Sequence, residues 1–109
     1  MNGSNFEKLL ESTAEHLQVL TKSKGAEYAH DADQLANFKR LGHQLRLKPT
    51  TVLMVYMQKH LDAITEYVSA VQAEACPILS EPIEGRIDDA ILYLVLLKAL
   101  VVDLSLPTV

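Results

Sequence analysis

The longest apolar run of the chain, Ala90 to Val102, constrains its fold more than any other feature. The run has 13 residues and is interrupted by Lys98. A membrane-spanning helix needs about 20 apolar residues, so we expect no membrane partner. A helix that is apolar on nearly all sides has to lie at the centre of a fold or in an oligomer interface. The run therefore predicts a helix that is either central in the fold or part of an oligomer interface, and we expect a homo-oligomer formed through it.

Apolar residues recur at helical spacing along most of the chain, and no segment alternates as a strand does. The pattern predicts four helices, at about 5–22, 34–45, 51–73 and 81–103, in 109 residues. We therefore expect an all-α fold, a single four-helix bundle-like domain that is oligomeric. The expected start and stop signals are a Ser4–Glu7 capping box, Gly25, Asp33, Thr50 or Thr51, and Ser80.

The charge balance and the single cysteine exclude several classes of protein. Ten Lys and Arg against fourteen Asp and Glu give a net charge of −4, which disfavours binding to a nucleic-acid backbone. One cysteine, Cys76, permits no internal disulfide framework. The first eleven residues are polar and do not have the pattern of a signal peptide, so we expect a cytoplasmic protein.

The start of the fourth helix is acidic. Glu84 and Asp88 are four residues apart and share a face, and Asp89 points about 100° away. Stacked carboxylates repel one another, and a divalent cation such as Mg²⁺ relieves that repulsion. The alternative is a solvated acidic surface near the positive end of the helix dipole, with Arg86 as partner.

A second polar set, Lys59, Asp62 and Glu66, shares one face of the third helix. If the third and fourth helices pack antiparallel, Asp62 and Glu66 approach the start of the fourth helix, as carboxylates do in metal sites of helical bundles. Lys59 could then contact a phosphate as a point charge. The alternative is an internal ion pair on a solvated face.

The polar segment Lys24 to Asp33 is expected to be irregular, and with Asn37 it offers a third candidate site. Tyr28 could stack on a base, and Asn37 could read its edge. The alternative is a plain connector. The four histidines are scattered, without metal-ligand spacing, and each is expected on the surface or the flank of a helix.

Three segments carry a resemblance when they are taken together: KGAEYAHDADQLANFKR, VLMVYMQKHLDAITEYV and SEPIEGRIDDAILYLVLL. They resemble the nucleotide modification associated domain 1 family of small phage and prophage proteins. That family is similar, more distantly, to the MazG-like all-α nucleoside triphosphate pyrophosphatases. The matching residues are Lys24, Tyr28, Asn37, Phe38, Lys59, Asp62, Glu84, Asp89 and Tyr93.

The resemblance implies an all-helical oligomer and a nucleotide or nucleotide-like ligand. In the pyrophosphatases, a Glu-Glu-x-x-Glu helix and a Glu-x-x-Asp helix hold Mg²⁺ while water attacks the triphosphate. This chain departs from that pattern, since its third helix carries Lys59, Asp62 and Glu66 instead. Its fourth helix spaces Glu84 from Asp88 or Asp89 differently as well.

Three functions follow from these residues and from the resemblance. The first is Mg²⁺-dependent hydrolysis of a (deoxy)nucleoside triphosphate in the host cytoplasm. The second is sequestration of a nucleotide, such as a cyclic defence signal, without cleavage. The third is a protein–protein interaction or inhibitor module. The predicted site comprises catalytic Lys59, Asp62 and Glu66, metal-binding Glu84, Asp88 and Asp89, and ligand-binding Lys24, Tyr28, Asn37, Lys59 and Tyr93.

Overall fold

The computed structural model describes residues 1–27, 35–77 and 79–108. Within these ranges the chain forms four helices and no strand, so the all-α prediction is confirmed. The helices are α1 (Gly3–Glu27), α2 (Ala36–Leu45), α3 (Pro49–Gln72) and α4 (Ile83–Asp103). None of these described helices is long and apolar enough to cross a membrane. The chain divides into two compact units, Met1–Gln34 and Leu35–Val109.

In the first unit, α1 begins earlier and ends later than the sequence predicts. The backbone N–H of Asn5 donates to Oδ1 of Asn2 at 2.8 Å, so Asn2 caps the helix and Ser4 lies inside it. The helix also continues past Gly25 to Glu27, which corrects the expected irregular start of the following segment. The expected cap Asp33 lies outside the described residues.

The second unit contains α2, α3 and α4, joined by short connections. Arg46 ends α2 with a left-handed backbone (φ 57°), and the next N–H, that of Leu47, donates to the carbonyl of Gly42 at 2.9 Å. Pro49 then opens α3, where its missing N–H costs nothing. The predicted caps Thr50 and Thr51 therefore lie inside the helix. Likewise Pro82, not Ser80, is the residue before α4.

All three helices of the second unit contribute to one core. Its buried residues are Leu35, Phe38, Val52, Leu53 and Leu100. The Phe38 ring meets the rings of Tyr56 and Tyr93 edge-on, at centroid distances of 6.0 and 6.5 Å, so α2 bridges α3 and α4.

One side of α4 packs and the other is exposed. Leu92 and Leu100 are buried, whereas Leu94 is 53% exposed and Val102 is 71% exposed. The prediction that α4 is central therefore holds for one face. Its role in an oligomer remains a prediction.

Candidate functional site

A polar cluster lies where α3 packs against the first half of α4. Its centre is His60, which is 5% exposed and is the one buried polar or charged residue among those described. His60 follows Leu53 and Met57 at helical spacing, which places it on the buried face of α3. Arg86, Asp89 and Tyr93 follow one another at three and four residues on α4, so they present one face to His60. We call these four residues the His60 cluster.

Each member of the His60 cluster has a defined contact with the histidine. Nη1 of Arg86 lies 3.3 Å from Nδ1 of His60, and Oδ2 of Asp89 lies 3.7 Å from the same nitrogen. The Tyr93 ring lies beside the imidazole, with centroids 5.5 Å apart and planes tilted by 34°. Tyr93 also contacts Phe38, which ties the cluster to the core.

Arg86 also contacts the segment that precedes α4. Its Nη2 donates to Oγ of Ser80 at 3.3 Å, and its Nε lies 3.5 Å from Oε2 of Glu81. The Arg86 side chain is 14% exposed and that of Glu81 is 55% exposed. The guanidinium therefore holds the start of α4, its leading segment and α3 together. Because the pair with Glu81 is long and exposed, it adds little stability.

Burial lowers the pKa of His60 below its ordinary value of 6.5, because the charged ring loses solvation. The neighbouring charges act in both directions. Asp89 raises this pKa, whereas Lys59 and Arg86 lower it. His60 is therefore neutral at pH 7, when its Nδ1 can accept a hydrogen bond from Arg86.

The structure brings Asp89 and Tyr93 into one cluster and leaves most other predicted site residues outside it. On α3, Lys59, Asp62 and Glu66 are exposed, and Asp62 accepts a hydrogen bond from Nε2 of Gln58 at 2.8 Å. On α4, Glu84 is exposed and Asp88 is half-buried.

Of the predicted site residues nearer the amino terminus, the structure describes the side chain of Asn37 only. Asn37 is half-buried on α2, where its Oδ1 accepts a hydrogen bond from Nη2 of Arg40 at 2.7 Å. Tyr28 and the side chain of Lys24 lie outside what the structure describes.

A magnesium site requires several oxygen ligands around one point. Across the described ranges, no three His, Cys, Asp or Glu residues are grouped so that they could hold a metal ion. The described acids of α3 and α4 therefore do not fit a resident Mg²⁺, and we derive no reaction step through one. The Mg²⁺ ligands Glu84, Asp88 and Asp89 remain a prediction from the sequence.

Sequence reasoning missed two residues of the His60 cluster. His60 was expected on a surface or a helix flank, and it is buried instead. Its position, three residues after Met57 and seven after Leu53, was the available signal. The sequence pairs Arg86 with the neighbouring acids only, whereas in the structure its guanidinium also contacts the imidazole of His60.

Comparisons of the chain with family models, with curated proteins and with solved structures find no match.

Proposed function

We propose that the protein binds a nucleotide or a nucleotide-like anion at the His60 cluster and holds it without cleaving it. The observation that carries this proposal is the buried His60 itself, set between Arg86 and Asp89 at a helix junction. Burying a polar group costs stability, and buried titratable groups with charged partners are concentrated at functional sites. The quoted resemblance to nucleotide-directed phage proteins supports the same ligand class.

Arg86 is the residue we assign to the phosphate. A guanidinium binds phosphate oxygens through paired N–H donors, and such bonds are typically 2.7–2.9 Å long. The present contact to Glu81 is longer, at 3.5 Å, and the Glu81 side chain is half-exposed. A phosphate can therefore replace Glu81 on Arg86 at small cost.

We assign Asp89 to the base or the sugar of the ligand. The Asp89 side chain is 20% exposed, so part of it faces solvent. An ionised carboxylate accepts hydrogen bonds from the N–H groups of a base or the hydroxyls of a sugar. Arg86 and Asp89 are three residues apart on one face of α4, which places a donor and an acceptor side by side.

Binding without cleavage is favoured over magnesium-dependent hydrolysis because the third helix carries Lys59, Asp62 and Glu66 where the pyrophosphatases have a triple-glutamate helix. As part of the same proposal, the protein acts in the cytoplasm of a phage-infected cell, where sequestering a nucleotide signal would be an anti-defence activity. Linear and cyclic nucleotides share the phosphate that Arg86 would bind, so the experiment includes both.

The test is thermal unfolding with linear and cyclic nucleotides, with and without Mg²⁺, followed by chromatography of any nucleotide that raises the midpoint. A ligand at 100 times its Kd adds about 2.7 kcal/mol. We expect a shift with the nucleotide recovered intact. The shift should be lost in Arg86→Gln and Asp89→Asn, with helix content unchanged, and retained in Arg46→Gln, which removes a charge at the end of α2. Recovery of a monophosphate and pyrophosphate would instead establish hydrolysis, and no shift with any nucleotide would refute the proposal.

A second candidate function, self-association through α4, is favoured by its exposed apolar side chains. Ile87, Leu94, Val95 and Val102 are 41–71% exposed. Exposed apolar patches mark interaction surfaces. If α4 forms the interface, Leu94→Glu should reduce the molar mass measured by light scattering, whereas Glu84→Lys on the same helix should not.

A further inference from the structure

The guanidinium of Arg86 directs its N–H groups to two sides. Nη1 lies 3.3 Å from Nδ1 of the buried His60. The other edge of this planar group, formed by Nε and Nη2, faces the segment before α4. Nε lies 3.5 Å from Oε2 of Glu81, and Nη2 donates to Oγ of Ser80 at 3.3 Å. Both contacts are longer than the distance of about 2.7–2.9 Å that is typical of charge-assisted hydrogen bonds, so a ligand can take over this edge.

The Nε–Nη2 edge offers two parallel donors, and two donors match two oxygens of one phosphate. A phosphate inside a diester has two oxygens that are not esterified, and it carries a single negative charge. A terminal phosphate has three such oxygens and about two charges at neutral pH, since its second pKa is about 6. The edge of Arg86 therefore matches the whole anionic group of a diester, whereas it leaves one oxygen of a terminal phosphate without a donor.

The described charges around His60 balance before a ligand binds. Burial is the largest influence on the pKa of His60, and four charged groups also shift that pKa. Two of them, Asp89 and Glu81, raise it, and the other two, Lys59 and Arg86, lower it. These groups are two anions and two cations. If a phosphate displaces Glu81 from Arg86, one positive charge remains to be matched, and a single negative charge matches it.

The remaining charges at the start of α4 disfavour a second negative charge on the ligand. Glu84 lies two residues before Arg86 and Asp88 lies two residues after it. Arg86 is the one basic residue of α4 before Lys98. A terminal phosphate or a triphosphate bound at Arg86 would therefore bring additional negative charge close to carboxylates. Like charges brought together weaken binding, and salt screens that effect.

We propose that the site selects phosphodiesters, so that it binds the internal phosphate of a cyclic or linked nucleotide in preference to a terminal phosphate. This inference rests on the proposed function, because it takes Arg86 as the residue that binds phosphate. It goes further by naming the charge and the ester state of that phosphate. The Nε–Nη2 edge recognises the phosphate, and the carboxylates of Glu81 and Asp89 discriminate against a second charge.

The main test compares two ligands that differ in one ester bond, a nucleoside monophosphate and the methyl ester of its phosphate. The base and the sugar are the same, and the ester has one charge fewer. Calorimetric titration of the full chain at about pH 7.5, without Mg²⁺ and at low salt, should show the ester binding at least about tenfold more tightly. The difference should shrink as salt is added. Equal binding, or tighter binding of the monophosphate, would overturn this inference and leave the proposed function standing.

Two further ligands distinguish the sources of a diester. A cyclic mononucleotide and a dinucleoside monophosphate each contain one phosphodiester, closed into a ring in the first and linking two nucleosides in the second. Tighter binding of either than of the nucleoside monophosphate would support the proposal, and the tighter of the two identifies the source. Weaker binding of both would overturn it. No binding of any nucleotide would refute the proposed function and this inference with it.

Glu81→Gln tests the charge argument in the protein itself. It removes one carboxylate beside Arg86, so the nucleoside monophosphate should gain more affinity than its methyl ester and the ratio of their Kd values should fall. Glu74→Gln is the matched control, since Glu74 is exposed beyond the end of α3 and is not among the groups that act on His60. It should leave the ratio as it is in the parent chain. Equal ratios in both variants would overturn the charge argument.

Discussion

Nδ1 of His60 lies 3.3 Å from Nη1 of Arg86. A guanidinium only donates hydrogen bonds, so the ring nitrogen has to accept, and the proton of the neutral imidazole is on Nε2. Oδ2 of Asp89 lies 3.7 Å from the same Nδ1, too far for a hydrogen bond. Protonation of Nδ1 would reverse this arrangement, because a ring that donates there is repelled by Arg86 and attracted by Asp89.

The first prediction concerns the titration of His60. Because burial lowers its pKa below 6.5, NMR titration of the ring should give a midpoint below that value. Nitrogen shifts at neutral pH should identify the Nε2–H tautomer. A His60 midpoint above 6.5 would show that Asp89 dominates over burial and would contradict the prediction.

The lowered pKa also fixes the sign of a stability change. Between the folded pKa and 6.5 the unfolded chain binds more protons at this residue than the folded chain does. The contribution of neutral His60 to the free energy of unfolding is therefore fully present above pH 6.5. It is lost as the pH falls through 6.5, and the loss levels off below the folded pKa. Urea unfolding at about pH 5.5 and pH 7.5 should show a smaller pH difference in His60→Gln than in the parent chain.

A second prediction concerns the effect of Arg86 on His60. The guanidinium charge lowers the pKa of the imidazole, so Arg86→Gln should raise it. Glutamine can still donate a hydrogen bond, which limits the change to the loss of charge. Arg46→Gln removes a charge at the end of α2 and should leave the His60 titration where it was. An unchanged midpoint in Arg86→Gln would mean that the contact at 3.3 Å is not kept in solution.

The number and order of the helices could be predicted from apolar spacing, because packing of one face decides where a helix forms. The ends could not. Helix termini depend on which nearby group satisfies a free backbone N–H, and several candidates compete within a few residues. At α1, Asn2 takes the place expected for Ser4, and at α3 Pro49 precedes both threonines. The end of α4 at Asp103 was predicted correctly.

The candidate site was less predictable because it depends on which faces of two helices meet. The sequence places Lys59, Asp62 and Glu66 on one face of α3, and all three are exposed. His60, next to Lys59 in the chain, is buried instead. A rotation of about 100° per residue therefore separates the predicted face from the observed one. The charge pattern of the fourth helix points to Asp89 and the resemblance points to Tyr93, and both residues lie in the His60 cluster. That they bind a metal or a ligand remains a prediction.

A third prediction tests the core of the second unit. Leu53 is fully buried between α2 and α4, so Leu53→Ala should lower the free energy of unfolding by about 2–5 kcal/mol. Met54 follows it on α3 and is 43% exposed. Met54→Ala should therefore cost much less. Denaturant unfolding of both variants checks the difference, and equal losses would contradict the described orientation of α3.

The last prediction compares two glycines that lie inside helices. A Cβ on Gly42 would lie 2.7 Å from the carbonyl oxygen of Leu47 and 3.4 Å from the nitrogen of Pro49. The Leu47 backbone cannot easily retreat, because its own N–H donates to the carbonyl of Gly42. Gly42→Ala should therefore destabilise the protein by about 1–3 kcal/mol.

At Gly85, in the first turn of α4, no atom other than those of the adjacent residues and the helix's own backbone lies within 4 Å of the corresponding Cβ position. Alanine is better than glycine in a helix by up to about 1 kcal/mol, so Gly85→Ala should be neutral or stabilising. The two changes add the same methyl group and differ in what that methyl meets. Thermal and urea unfolding should therefore show that the two substitutions change the free energy of unfolding in opposite directions, or that Gly42→Ala lowers it clearly more than Gly85→Ala does. Equal effects would mean that the turn from Arg46 to Lys48 does not close over Gly42 in solution.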